Sequence, residues 1–260
     1  MATIKPLQEN TKTEKIHEMN KKFWNDNADD WFGATSLPTL GVYIPSETDK
    51  EFFADVSGKA VLDIGCGSGH FLAYLRQRGA KDLWGLDLSS GQLANAQRYL
   101  GELGLSATLI NGPMEEDCGA PKGHFDMVYS IYAIGWSTDL QTTFDLVASY
   151  LKPGGTFVFS WDHPILRHME TMNDKLVFTG NYHDEDPFIY CAGGNEMCFS
   201  IRKLSTYVNA LAKAGMMVEY MMEETSEEVL KGEATVRDSH YSPHKAQKLP
   251  LSFVIKARKL

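Results

Sequence analysis

The stretch "VLDIGCGSGHF" (residues 61–71) decides how this chain is read. Apolar residues around a single acid predict a strand buried on both faces, and the glycines that follow stop it in a turn. Where such a turn opens into a helix, bare backbone and free helix amides can meet an anionic or polar ligand closely. The glycines stand at 65, 67 and 69 with His70 next, so the dinucleotide spacing GxGxxG is not met. That spacing argues against an NAD-dependent dehydrogenase.

Outward from the turn, short apolar runs and helical patterns alternate. "SGHFLAYLRQRGA" reads as a helix, "DLWGLDL" as a second strand, and "SSGQLANAQRYLGELG" as a helix with a Ser cap and a glycine stop. "ATLING" (107–112) and "FDMVYSIY" (125–132) are the third and fourth strands; the helix "LQTTFDLVASYL" and a turn at "KPGG" lead to a fifth, "TFVFSWD" (156–162). This rhythm predicts an α/β fold, a parallel sheet with helices on both faces. Upstream, residues 11–32 carry a helical stripe through Ile16, Met19, Phe23 and Trp31, followed by a Gly/Pro/Ser-rich loop over 33–46. After Pro164 the rhythm breaks into an insertion. It resumes with a helix at 202–215 and strands at 216–222 and 251–257, separated by a polar excursion over 223–248.

Asp87 ends the second strand, 22 residues after Gly65. A carboxylate at that tip is placed to accept both hydrogens of a ribose diol, and it would repel a 2'-phosphate.

The whole chain narrows the function further. Its 260 residues suit one large α/β domain with a cap or insertion, and 43% apolar content predicts a real core. A net charge of -9 is unfavourable for binding a phosphate backbone, so no nucleic-acid partner is expected. No apolar run reaches signal-peptide or membrane-span length, which predicts a cytoplasmic protein without a membrane partner. The four cysteines show no CxxC spacing and read as reduced thiols. Cys191 and Cys198 with His183, or His163 with His168, are conceivable metal ligands without a complete set, so no metal is expected.

Together, "VLDIGCGSG", "LDLSSGQLANA" and "LKPGG" resemble the class I S-adenosylmethionine-dependent methyltransferases, over roughly residues 55–163. The resemblance implies a doubly wound, Rossmann-like, mostly parallel seven-stranded sheet whose last strand is antiparallel. It implies S-adenosylmethionine as methyl donor and S-adenosylhomocysteine as product. Asp63 and the turn Gly65, Cys66, Gly67 and Gly69 would then hold the amino-acid end of the cofactor, Asp87 the ribose, and Leu88 the adenine. After the third strand the family has an acid where this chain has Pro113. Met114 is left to supply an apolar contact and Glu115 the polar one. Ser130 and Ile131, at the end of the fourth strand, would neighbour the cofactor. The expected organisation is an N-terminal helical cap (1–52), a cofactor-binding core (53–163), a substrate-side insertion after strand 5 (164–201), and a closing helix with strands 6 and 7 (202–260).

Transfer from a sulfonium is a direct displacement, requiring an acceptor lone pair in line at about 3 Å. His163 in "SWDHP" leaves the fifth strand at the crevice edge and is the candidate general base, with Tyr132 as a second catalytic candidate. An aromatic cap over the crevice would bind the acceptor, and Trp24, Trp31, Tyr43, Tyr132, Trp136, His163 and Tyr182 are its candidate residues. The reading is methylation of a small-molecule oxygen or nitrogen. A tRNA or protein acceptor, and a sensor or scaffold that binds cofactor without turnover, remain alternatives. The oligomeric state is open.

Overall fold

The computed structural model describes residues 3–8, 11–34, 39–53, 55–192, 194–234 and 239–260. Parts of the expected 33–46 loop and of the 223–248 excursion lie outside these residues. In chain order the elements are β1 (Thr3–Pro6), α1 (Thr13–Asp26), α2 (Glu47–Lys50), β2 (Ala60–Ile64), α3 (His70–Gln77), β3 (Asp82–Asp87), α4 (Ser90–Glu102), β4 (Thr108–Asn111), β5 (Phe125–Ile131), α5 (Leu140–Tyr150) and β6 (Leu151–Asp162). They continue with β7 (Met169–Met172), β8 (Lys175–Phe178), β9 (Phe188–Ala192), β10 (Asn195–Phe199), α6 (Leu204–Lys213), β11 (Met216–Met222), α7 (Glu227–Lys231), α8 (Pro243–Ala246) and β12 (Ser252–Lys259).

The central sheet has seven strands in the order β11-β12-β6-β5-β2-β3-β4. From β6 to β4 all neighbours are parallel, while β12 runs antiparallel to both β6 and β11. Because side chains alternate across a strand, each strand divides its apolar residues between two cores. Leu62, Val128, Phe157 and Phe253 pack against Phe144, Val147 and Tyr207 of α5 and α6. Val61, Met127, Val158 and Val254 pack against Phe71, Leu72 and Leu75 of α3 on the other face.

Three local expectations need correction. The "KPGG" turn is a register shift inside one long strand: Phe125 pairs with Leu151, Met127 with Thr156, and Gly154 takes φ +76° between them. The N-terminal helix stops at Asp26, where the Asn27 side chain donates to the Phe23 carbonyl at 2.7 Å. The insertion is strand-rich. β7 and β8 form a hairpin, and β9 pairs with both β10 and β1 in a small separate sheet.

Helix α1 lies between that small sheet and the core. The buried Asn20 amide donates to the Cys198 carbonyl at 2.7 Å and accepts from the Cys198 amide at 2.8 Å. Asn25 Oδ1 accepts from Ser89 Oγ at 2.8 Å and Gly91 N at 3.0 Å at the start of α4. The cap is therefore fastened at both sides by side-chain to backbone bonds. Among the described residues no helix is long and apolar enough to cross a membrane.

Candidate functional site

The turn after β2 is built for close approach. Gly65 has φ +78°, and a Cβ there would come within 2.3 Å of the Ala133 methyl, so another residue would be both strained and displaced. Gly65 and Cys66 donate their amides to the Leu86 carbonyl at 2.7 and 3.1 Å, which ties the turn to β3. Gly67 N donates to Asp87 Oδ2 at 2.9 Å and Ser89 N donates to Asp87 Oδ1 at 2.8 Å. Each carboxylate oxygen has thus accepted one amide and keeps capacity for another donor. Burial pushes the Asp87 carboxyl up to about 6 against those two amides. Burial also drives the Asp63 carboxyl well above the usual range, and the neighbouring charge of Asp87 adds to the effect. Gln92 is buried in the same wall, and its Oε1 has no partner among the described residues.

These groups open into one cavity of about 1020 Å³. Of the residues expected around the cofactor, Asp63, Gly65, Cys66, Gly67, Asp87, Leu88, Pro113, Met114, Glu115 and Ile131 line it. Gly69 and Ser130 do not. A Cβ at Gly69 would lie 3.0 Å from the Ala96 methyl, so this glycine lets α3 pack on α4. Ser130 is fully buried behind the wall.

On the cap side, Trp24, Trp31 and Trp136 all line the cavity. The Trp24 ring meets those of Trp31 and Trp136 edge to face, at 5.5 and 5.3 Å between centroids. Beside them Glu115 is already engaged: its Oε1 accepts from Thr138 N at 2.9 Å and from the Thr138 hydroxyl, and meets His17 Nε2 at 2.9 Å. Through Oε1, Glu115 fastens α1 to the loop before α5.

The expected base is displaced. His163 is buried outside the cavity wall. Its Nδ1 accepts from Ile165 N at 3.2 Å, which makes Nε2 the donor to Glu223 Oε1 at 2.7 Å. With both ring nitrogens committed, it fixes the chain where β6 ends. Tyr43 packs in a satellite cluster with Leu166, Ala246 and Leu251, and Tyr182 sits beside His168 and His183; neither reaches the cavity.

In place of His163 the wall carries its neighbour Asp162, which is 4% exposed. Tyr132 donates to Asp162 Oδ1 at 2.9 Å, and Tyr241 lies 3.0 and 2.9 Å from its two oxygens. Burial raises the Asp162 carboxyl to about 6, and both hydroxyls pull it back down. Tyr132 holds φ +53° where β5 ends, a conformation that costs a non-glycine residue about 1 to 3 kcal/mol. Its hydroxyl also meets Ser252 Oγ at 2.5 Å. Asp162 was in view in "SWDHP", beside the histidine that drew attention; Tyr241 gave no signal within an aperiodic polar segment.

Residues 61–155 match the family model described as a methyltransferase domain. An S-adenosylmethionine-dependent methyltransferase from Mesorhizobium loti superposes with a TM-score of 0.68 at 25% identity, covering 81% of this chain and 95% of that one. Residues 61–155 thus carry a methyltransferase domain, on the fold of the S-adenosylmethionine-dependent methyltransferases. An uncharacterized protein of Haemophilus influenzae is 28% identical over 239 residues, 85% of this chain and 89% of that protein. A malonyl-[acyl-carrier protein] O-methyltransferase of Pectobacterium atrosepticum is 34% identical over 105 residues, 40% of this chain and 39% of its own length. The methyltransferase therefore matches about two fifths of that named relative. S-adenosylmethionine is its cofactor, and the half-satisfied Asp87 oxygens and the orphaned Gln92 carbonyl oxygen suit a nucleoside ligand rich in donors.

Proposed function

We propose that this methyltransferase transfers its methyl group to an oxygen or nitrogen of a small-molecule acceptor lying over β5 and β6. The observation that carries the reading is the continuity of one cavity from the glycine turn to the Tyr132–Asp162–Tyr241 cluster. Pockets for small ligands span about 300 to 1,000 Å³, so a cavity at the top of that range has room for a nucleoside cofactor and a second molecule. Neighbouring strands lie about 4.8 Å apart, so Asp87 on β3 and Asp162 on β6 are separated by three spacings, about 14 Å. The named relative acts as an O-methyltransferase, which agrees with an oxygen acceptor.

In this reading Asp87 would hold the ribose, Asp63 and the Gly65–Gly67 backbone the amino-acid end, and Leu88 and Met114 the adenine. Bound there, S-adenosylmethionine supplies an activated methyl on sulfur. Asp162 takes the proton that a hydroxyl or ammonium acceptor must lose, and Tyr132 and Tyr241 position its oxygens. A value of about 6 leaves it mostly ionised at neutral pH, while still basic enough to serve. The tryptophans over the crevice exclude water from the reacting pair.

Incubating the enzyme with methyl-labelled cofactor and a cell extract tests this. Label should appear in the low-molecular-mass fraction; label confined to protein or RNA would overturn the proposal. Asp162→Asn should lower kcat about 100-fold or more with S-adenosylhomocysteine affinity unchanged, while His163→Gln should leave the pH–rate profile as it is.

A further inference from the structure

Beyond Asp162 the cavity contains a cation for which methyl transfer has no use. Lys245 of α8 is 5% exposed and lines the wall. An ammonium has three N–H donors, and among the described residues Lys245 spends one, on the His240 carbonyl at 3.2 Å. No described carboxylate lies within ion-pair distance of it, and the opposing charge that acts on it is the exposed Glu170 at the cavity rim. Asp162 is already engaged by its two tyrosines. The His240 ring is held neutral at ordinary pH, its value lowered to about 4 by burial and by Lys245 itself.

A buried charge that lacks a counter-ion is costly, and such costs persist where a ligand meets them. A second cation, Arg167, lines the same cavity. It stacks on Phe188 at 4.2 Å, pairs with Asp184 at 3.7 Å and donates to the Asp186 carbonyl at 3.3 Å. Of these two cations Lys245 is the buried and nearly bare one, so a positive charge at the acceptor end is left without a partner.

We infer that the acceptor carries an anionic group, carboxylate or phosphate, which Lys245 neutralises with Arg167 beside it, while Tyr132 and Trp161 receive its apolar body. This inference rests on the small-molecule reading above.

Binding is the test, because it can be read without turnover. Benzoate, phenyl phosphate and the neutral benzamide are titrated calorimetrically into the enzyme saturated with S-adenosylhomocysteine. At least one anion should bind tenfold or more tightly than benzamide, and whichever does so distinguishes carboxylate from phosphate. Lys245→Met should remove that preference and Lys245→Arg should keep it, both with S-adenosylhomocysteine affinity unchanged as the check on folding. Equal affinity for all three probes, including no binding by any, overturns the inference, as does a preference that survives Lys245→Met. Failure of the small-molecule reading shows separately, as label moving to macromolecules.

Discussion

Two carboxylates at the strand ends, Asp87 and Asp162, are both raised to about 6 by burial. The sign of the consequence follows from the unfolded value of about 3.9. A folded-state value above that contributes stability fully present below pH 4, which is lost as pH rises through 6. For the enclosed Asp162, the rise to about 6 corresponds to roughly 3 kcal/mol given up at neutral pH. Asp162→Asn should therefore gain stability on the wild type as pH is raised from 4 to 8, by up to about that amount in denaturant unfolding. A stability difference that does not vary with pH would mean the carboxyl is solvated. Activity should move the opposite way in the wild type, rising through pH 6 as the carboxylate forms. A costly charge retained in a cavity wall is what a functional group looks like when stability and activity conflict.

At the scale of elements, α1 is fastened mainly by side-chain amides bonded to backbone. Asn20 satisfies both the N–H and the C=O of Cys198 in β10, from a position 1% exposed. Removing its side chain leaves two buried backbone groups without partners, at about 1 to 3 kcal/mol each. Asn20→Ala should lower unfolding stability by an amount in that range or somewhat above it, and hydrogen exchange should quicken in α1 and β10 before the central sheet. Uniform loss across the sheet would show that the cap is no separate unit. Sequence periodicity revealed the helix through Ile16 and Phe23. It could not reveal the fastening, because an asparagine paired 178 residues away carries no local pattern.

At the scale of the whole molecule, the sheet was legible because its central strands β2, β5 and β6 are buried on both faces and punctuated by glycine turns. The turn at Gly65 and the acid at Asp87 were legible for a related reason: β2 and β3 are neighbours, so their ends meet. The far end of the cavity was not. Asp162, Tyr241 and Lys245 come together across 79 and more residues through a segment without period, and no local rule joins them. The cavity wall mixes residues of the core, such as Gly67 and Asp87, with His17 and Trp24 of α1 and Phe188 and Phe199 of β9 and β10. A ligand that fills it must couple these parts. S-adenosylhomocysteine at a hundred times its Kd should stabilise the fold by about 2.7 kcal/mol. If the cap closes on the cofactor, exchange protection should rise in α1 and in the β9–β10 sheet together with the turn after β2. Protection limited to β2, β3 and β4 would mean the cap responds to the acceptor alone, and the order in which the two ligands bind would then be set by α1.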